Sequence, residues 1–203
     1  KNADNSQTLV FTTGDSAGKK LVHQYTIKPN DYMVGLDVQL QNADKLFTNS
    51  LMGIHWQNQT DQVEKDHKYE NTQTHISYLE KDNFDFEYAG KGENINLKDP
   101  TSWVAVKQQF FINGLIAKNK FSSASIEWKV PADTNAHYIA QTITNAKINL
   151  PSGANVQVPL QFYYGPSDYK VLKNYKLGLE DMVPYGSGVF SFVKYINRHF
   201  LFV

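Results

Sequence analysis

Between Tyr32 and Gln41 the chain alternates without a break: Tyr32, Val34, Leu36, Val38 and Leu40 fall on one side, and Met33, Gly35, Asp37, Gln39 and Gln41 on the other. Successive side chains of an extended chain point to opposite faces, so the run predicts a strand with one face in an apolar core and one towards water. Such a strand needs sheet neighbours and a second layer to cover its apolar face. The rest of the sequence offers both. Further strand candidates are Thr8 to Thr13, Leu21 to Lys28, Leu51 to Gln57, His75 to Leu79 and Phe84 to Ala89, then Trp103 to Ile112, Ser123 to Val130, His137 to Thr144 and Val156 to Tyr164. Gly14-Asp15-Ser16-Ala17-Gly18 supplies turn residues between the first two of these and predicts a hairpin, and Pro151-Ser152-Gly153 marks a turn before the last. The spacing is that of a sandwich and not of alternating strands and helices.

Aromatic residues make up 13% of the 203 residues, a composition that suits pleated, half-buried strands. Lys plus Arg equal Asp plus Glu at 20 each, which leaves no basic surplus for binding phosphate backbones and predicts no nucleic-acid partner. The absence of cysteine excludes disulfides, thiolate metal sites and a cysteine nucleophile, so packing must hold the fold. The stretch from Gln59 to Gln73 is polar and without periodicity, and predicts a long exposed connection.

After the last strand the pattern changes. Gly165-Pro166-Ser167-Asp168 ends the strand and offers an N-cap, and Val171, Leu172 and Tyr175 are spaced for a short helix. Beyond Gly186-Ser187-Gly188, the residues Val189, Phe192, Val193, Ile196, Phe200 and Val203 recur at three- and four-residue steps, with Lys194, Asn197 and Arg198 mostly opposite. Two readings of this amphipathic helix stand: it docks on the sandwich, or it lies at a membrane surface with its apolar stripe in the acyl boundary.

Candidate chemistry is sparse. None of the six histidines forms the close helical pair of zinc hydrolases, no Gly-x-Ser-x-Gly elbow is present, and the Gly-rich pieces lack the Lys-Ser/Thr of a phosphate cradle. Asp82, Asp85, Glu87 and Glu93 gather around one strand and turn, where charge discourages edge pairing. The expectation is no catalytic residue, no cofactor and no metal.

The run Trp103-Val104-Ala105-Val106-Lys107-Gln108-Gln109-Phe110-Phe111 resembles the periplasmic region of the bacterial membrane-protein insertase family YidC. In the same order, Asp31-Tyr32 with the strand to Gln41-Asn42, Glu93-Asn94-Ile95-Asn96-Leu97, Tyr164-Gly165-Pro166, Leu177-Gly178-Leu179-Glu180-Asp181 and Tyr185-Gly186 resemble segments of that family. The resemblance implies an all-β fold, a β-supersandwich of two packed antiparallel sheets with a mutarotase-like shape and short C-terminal helices. It implies a sandwich over residues 1–180 whose first strands are missing, then a linker and amphipathic interfacial helix over 181–203 that lead to an absent membrane bundle. The membrane-interface or partner residues it points to are Val189, Phe190, Phe192, Val193, Ile196, Arg198 and Phe200. It further implies a non-catalytic role at the periplasmic face of the inner membrane, with the Sec translocon including SecDF, nascent membrane proteins and the membrane surface as partners. A second class remains open, a carbohydrate-binding or mutarotase-like protein, with Trp56 and Trp128 as exposed stacking platforms and His55, His75 and His137 as candidate groups. A third is a structural spacer.

Overall fold

The computed structural model describes residues 2–133 and 136–183. The chain forms two compact units, Lys1–Pro166 and Ser167–Val203. In the first, twelve described strands make two antiparallel sheets: β1 (Gln7–Gly14), β2 (Lys20–Ile27), β3 (Met33–Gln41), β4 (Leu51–Asp61), β5 (His75–Glu80), β6 (Asn83–Tyr88), β7 (Asn94–Leu97), β8 (Thr101–Lys107), β9 (Phe111–Phe121), β10 (Ser123–Lys129), β11 (Tyr138–Asn149) and β12 (Asn155–Pro166). The larger sheet runs β1-β2-β3-β12-β9-β8-β5-β6 and the smaller β4-β11-β10-β7. The predicted two-sheet sandwich is what the chain forms.

The sheets meet in one apolar cluster. Leu36, Val38 and Leu160 enter it from the larger sheet, and Ile126, Trp128 and Ile148 from the smaller. The alternation of β3 is realised over Leu36, Val38 and Leu40, which are buried. It fails at its start, where Met33 is 6% exposed and Tyr32 46%. Tyr32 lies before the strand begins, so the two-residue period does not govern it. The predicted hairpin is present: β1 pairs with β2 from Gln7↔Ile27 to Gly14↔Lys20, and the Asp15 carboxylate accepts from the backbone N–H groups of Ala17 and Lys19 at 3.0 and 2.9 Å.

Two sequence expectations are corrected. The run Trp103 to Ile112 is not one strand, because the chain turns back at residues 108–110 so that β8 and β9 pair with each other. The stretch from Gln59 to Gln73 is not merely an exposed connection. Strand β4 continues to Asp61, and residues 67–73 form a helix capped by the Asp66 side chain, which accepts from Tyr69 N at 3.0 Å. That helix buries Glu70 to 1% exposure.

In the second unit, the Asp168 side chain accepts from Val171 N at 2.9 Å and caps a helix over Tyr169–Asn174, as the sequence predicts. Leu172, Leu179 and Met182 are buried.

Candidate functional site

A carboxylate buried on a polar helix requires compensation, and Glu70 receives it. Its carboxylate accepts from Val63 N at 3.0 Å, Glu64 N at 2.9 Å and Gln108 Nε2 at 3.1 Å, and the same Gln108 amide donates to Asp61 O at 2.7 Å. The clamp ties the loop after β4 to the turn between β8 and β9. It also fixes one wall of a depression of about 510 Å³ lined by Tyr32, Asp61, Val63, Phe111, Asn113 and Tyr164 among others. Three separate motifs converge there: Asp31-Tyr32, Gln108 with Phe111, and Tyr164-Gly165-Pro166. Gly165 permits the approach, since a Cβ at that position would stand 2.7 Å from Tyr32 Cβ.

Tyr164 leads inward. Its ring stacks on Phe162 at 5.8 Å, and Phe162 lies 6.3 Å from Trp56. Burial holds the Tyr164 hydroxyl above its ordinary pKa. Beyond Phe162 the aromatic floor passes into a cavity of about 380 Å³ between the two sheets, lined by Leu21, Tyr25, Leu36, Phe47, Trp56 and Phe162 among others. Strand β4 forms its other wall. Asn58 on β4 accepts from Asn113 on β9 at 3.1 Å, Trp56 lies by Phe162 on β12, and Leu21, His23 and Tyr25 of β2 line the cavity together with β4. Leu9 and Phe11 extend the floor; they stand opposite Tyr25 and His23 in register and are 57% and 56% exposed.

The four sheet edges differ in how they are guarded. Edge strand β6 carries Asp85 and Glu87, and β7 is only four residues long. Charge and shortness are the usual devices against pairing with another chain. Strand β1 has eight residues without a charge, and β4 has eleven with Asp61 as its one carboxylate. Strand β4 lines the cavity, and β1 pairs with β2, whose Leu21, His23 and Tyr25 line it too. Among the described residues no strand pairs with the outer edge of β1 or of β4, so an extended segment laid along β4 meets an open edge with an apolar floor beneath, the arrangement of strand addition.

The other candidate residues are dispersed. His55 faces outward on β4, with Nδ1 2.7 Å from Asn145 Oδ1. His75 lies on β5 in the other sheet, its ring stacked on Phe86 at 4.5 Å, where burial first and Lys107 second push its pKa down to about 4. His137 precedes β11. Trp128 is no stacking platform: it is 2% exposed and its indole N–H donates to Ala89 O at 2.8 Å. Trp56 is half-buried against the core. Residues Val189, Phe190, Phe192, Val193, Ile196, Arg198 and Phe200, and the Tyr185-Gly186 motif, lie outside the described residues. No described helix is long and apolar enough to cross a membrane.

Among solved structures, an α-galactosidase from Lactobacillus brevis is similar over 89% of this chain and 26% of its own, at 12% identity and a TM-score of 0.48. Curated relatives include the membrane protein insertase YidC of Parabacteroides distasonis, 27% identical over an alignment that covers 98% of this chain and 32% of that protein. Another is the protein of the same name from Azobacteroides pseudotrichonymphae, 30% identical over 82% of this chain and 29% of that protein. The chain therefore spans about a third of the length of the curated relatives it matches. The family model described as YidC periplasmic domain matches residues 1–198, and with that match running through both sheets and the clamp, the chain belongs to the YidC periplasmic domain family.

Proposed function

We propose that the chain is the non-catalytic, periplasm-facing part of a larger membrane-protein insertase, and that it aids insertion and folding of inner-membrane proteins by holding extended segments of substrate or partner in the β1–β4 cleft. The observation that carries this reading is that β1, without a charge, and β4, with Asp61 as its one carboxylate, are sheet edges among the described residues, and that β4 and the partner strand of β1 line one aromatic cavity. Natural sheets rarely leave such edges bare, and here the guarded edges lie elsewhere in the same molecule. Nascent membrane segments are apolar, which matches the floor. The family resemblance adds the Sec translocon with SecDF as the partner assembly. It also adds the helix of residues 189–203 as a contact with the inner-membrane surface, its apolar side including Phe192, Ile196 and Phe200 and its cation Arg198 at the head groups.

The test uses the full-length insertase in cells, with photo-crosslinking residues at Phe11 and Trp56 in the cleft and at Phe84 on the guarded edge. Adducts with nascent membrane proteins or SecDF are expected at Phe11 and Trp56 and not at Phe84. Adducts confined to Phe84, or none at any of the three during active insertion, would refute the cleft assignment. The helix is tested separately by liposome flotation of the chain with and without residues 189–203; equal flotation removes that contact.

A further inference from the structure

The solvent face of the smaller sheet carries a second site, unrelated to the cleft. Register aligns Gly53, Lys147 and Ser123 in one cross-strand row, and His55, Asn145, Ser125 and Asn96 in the next. Lys98 follows the end of β7 beside the first row. Together these residues line a depression of about 710 Å³. Gly53 opens its floor: a side chain there would meet nothing within 4 Å.

The charge pattern of this depression departs from that of the chain as a whole, whose formal charge is zero. Its lining contains two lysines and no carboxylate. The nearest carboxylates in sequence are engaged by other cations: Asp99, next to Lys98, pairs with Lys81 at 2.9 Å, and Glu127, two residues from Ser125, pairs with Lys129 at 3.1 Å. Among the described residues no ion pair reaches Lys98 or Lys147. His55 Nδ1 lies 2.7 Å from Asn145 Oδ1; in the tautomer whose ring N–H donates to that oxygen, the amide NH₂ of Asn145 is left available to a ligand. Two ammonium groups, two amides and two hydroxyls make a lining rich in donors.

From this geometry we infer that the depression binds a phosphoryl group, either of an anionic phospholipid or of a soluble phosphate ester. A ligand of oxygen acceptors with negative charge complements this set of donors. Sugars lack the charge and find no aromatic platform in the lining; metal ions find one imidazole and no carboxylate.

The experiment titrates the 203-residue chain with glycerol phosphate, followed by backbone amide shifts, and in parallel floats it with phosphatidylglycerol or phosphatidylcholine vesicles. Three variants accompany it: the double change Lys98→Glu with Lys147→Glu, the neutral filling change Gly53→Trp, and Lys68→Glu as a charge control on an exposed helix. The expected result is saturable shifts at Gly53, Ser125, Asn145 and Lys147 that weaken with salt, with affinity lowered by about tenfold or more in the double variant and in Gly53→Trp and unchanged in Lys68→Glu. Lysine-dependent flotation with phosphatidylglycerol assigns the phosphoryl group to lipid; saturable shifts without such flotation assign it to a soluble ester. No saturable shift together with no lysine-dependent flotation, or equal losses in the double variant and Lys68→Glu, overturns the site.

Discussion

The eight-stranded sheet is two different objects at its two ends. At β8 and β9 both faces are buried: Val104 and Leu115 point into the inter-sheet core, while Trp103 and Ile116 point the opposite way and are still 0% and 1% exposed. At β1 every residue is exposed, and the strand is held by its ladder to β2 and ring contacts such as Phe11 against Tyr25 at 6.0 Å. Burial of both faces is what sets a strand's contribution to stability; exposure of both, on an edge, leaves it free to bind. One sheet thus divides into a part that holds the fold and a part that offers a surface.

The largest effect that separates the two ends is a large-to-small change. Trp103→Ala is expected to lower unfolding free energy by about 3–5 kcal/mol, whereas Phe11→Ala should stay within about 0.5 kcal/mol. Denaturant unfolding of both variants checks this, and similar losses would erase the division. The clamp comes next. Glu70→Ala leaves the N–H groups of Val63 and Glu64 without their acceptor and should cost roughly 1–3 kcal/mol, read as a lowered thermal midpoint.

A smaller effect appears with pH. His75 has its folded pKa pushed from 6.5 to about 4, so the unfolded chain takes up the proton first. Its stabilising contribution is complete above about 6.5, is lost progressively as pH falls towards 4, and changes no further below that; His75→Phe should flatten this slope in pH-dependent melts. The smallest effect on stability belongs to β1: Val10→Lys, on the face opposite Leu9 and Phe11, should leave the melting point unchanged yet weaken capture of an extended apolar peptide by the cleft.

The sandwich, the first hairpin and β3 were legible in the sequence, the division between the two ends was not, and the missing parts have physical causes. Strand β3 announced itself because only one of its faces is buried. Strand β8 carries no alternation because both faces are buried, so Trp103 to Lys107 ran on into Phe111 and the turn at Gln108 went unseen. The helix of His67–Gln73 has no apolar stripe; its one deeply buried residue is a carboxylate satisfied by backbone N–H groups of a neighbouring loop, and no local pattern encodes that. The cleft was hidden for a related reason. Strand β1 carries no charge and β4 only Asp61, but it takes the order of strands in the two sheets to show that both are edges.

The most direct measurement is amide hydrogen exchange of the chain in the presence and absence of an uncharged, extended apolar peptide. The account predicts that protection rises along Leu51–Asp61 or Gln7–Gly14, at the amides not already paired within the sheets, and that Asn83–Tyr88 is unchanged. Protection that rises only along Asn83–Tyr88, or nowhere while the peptide is bound, would contradict it.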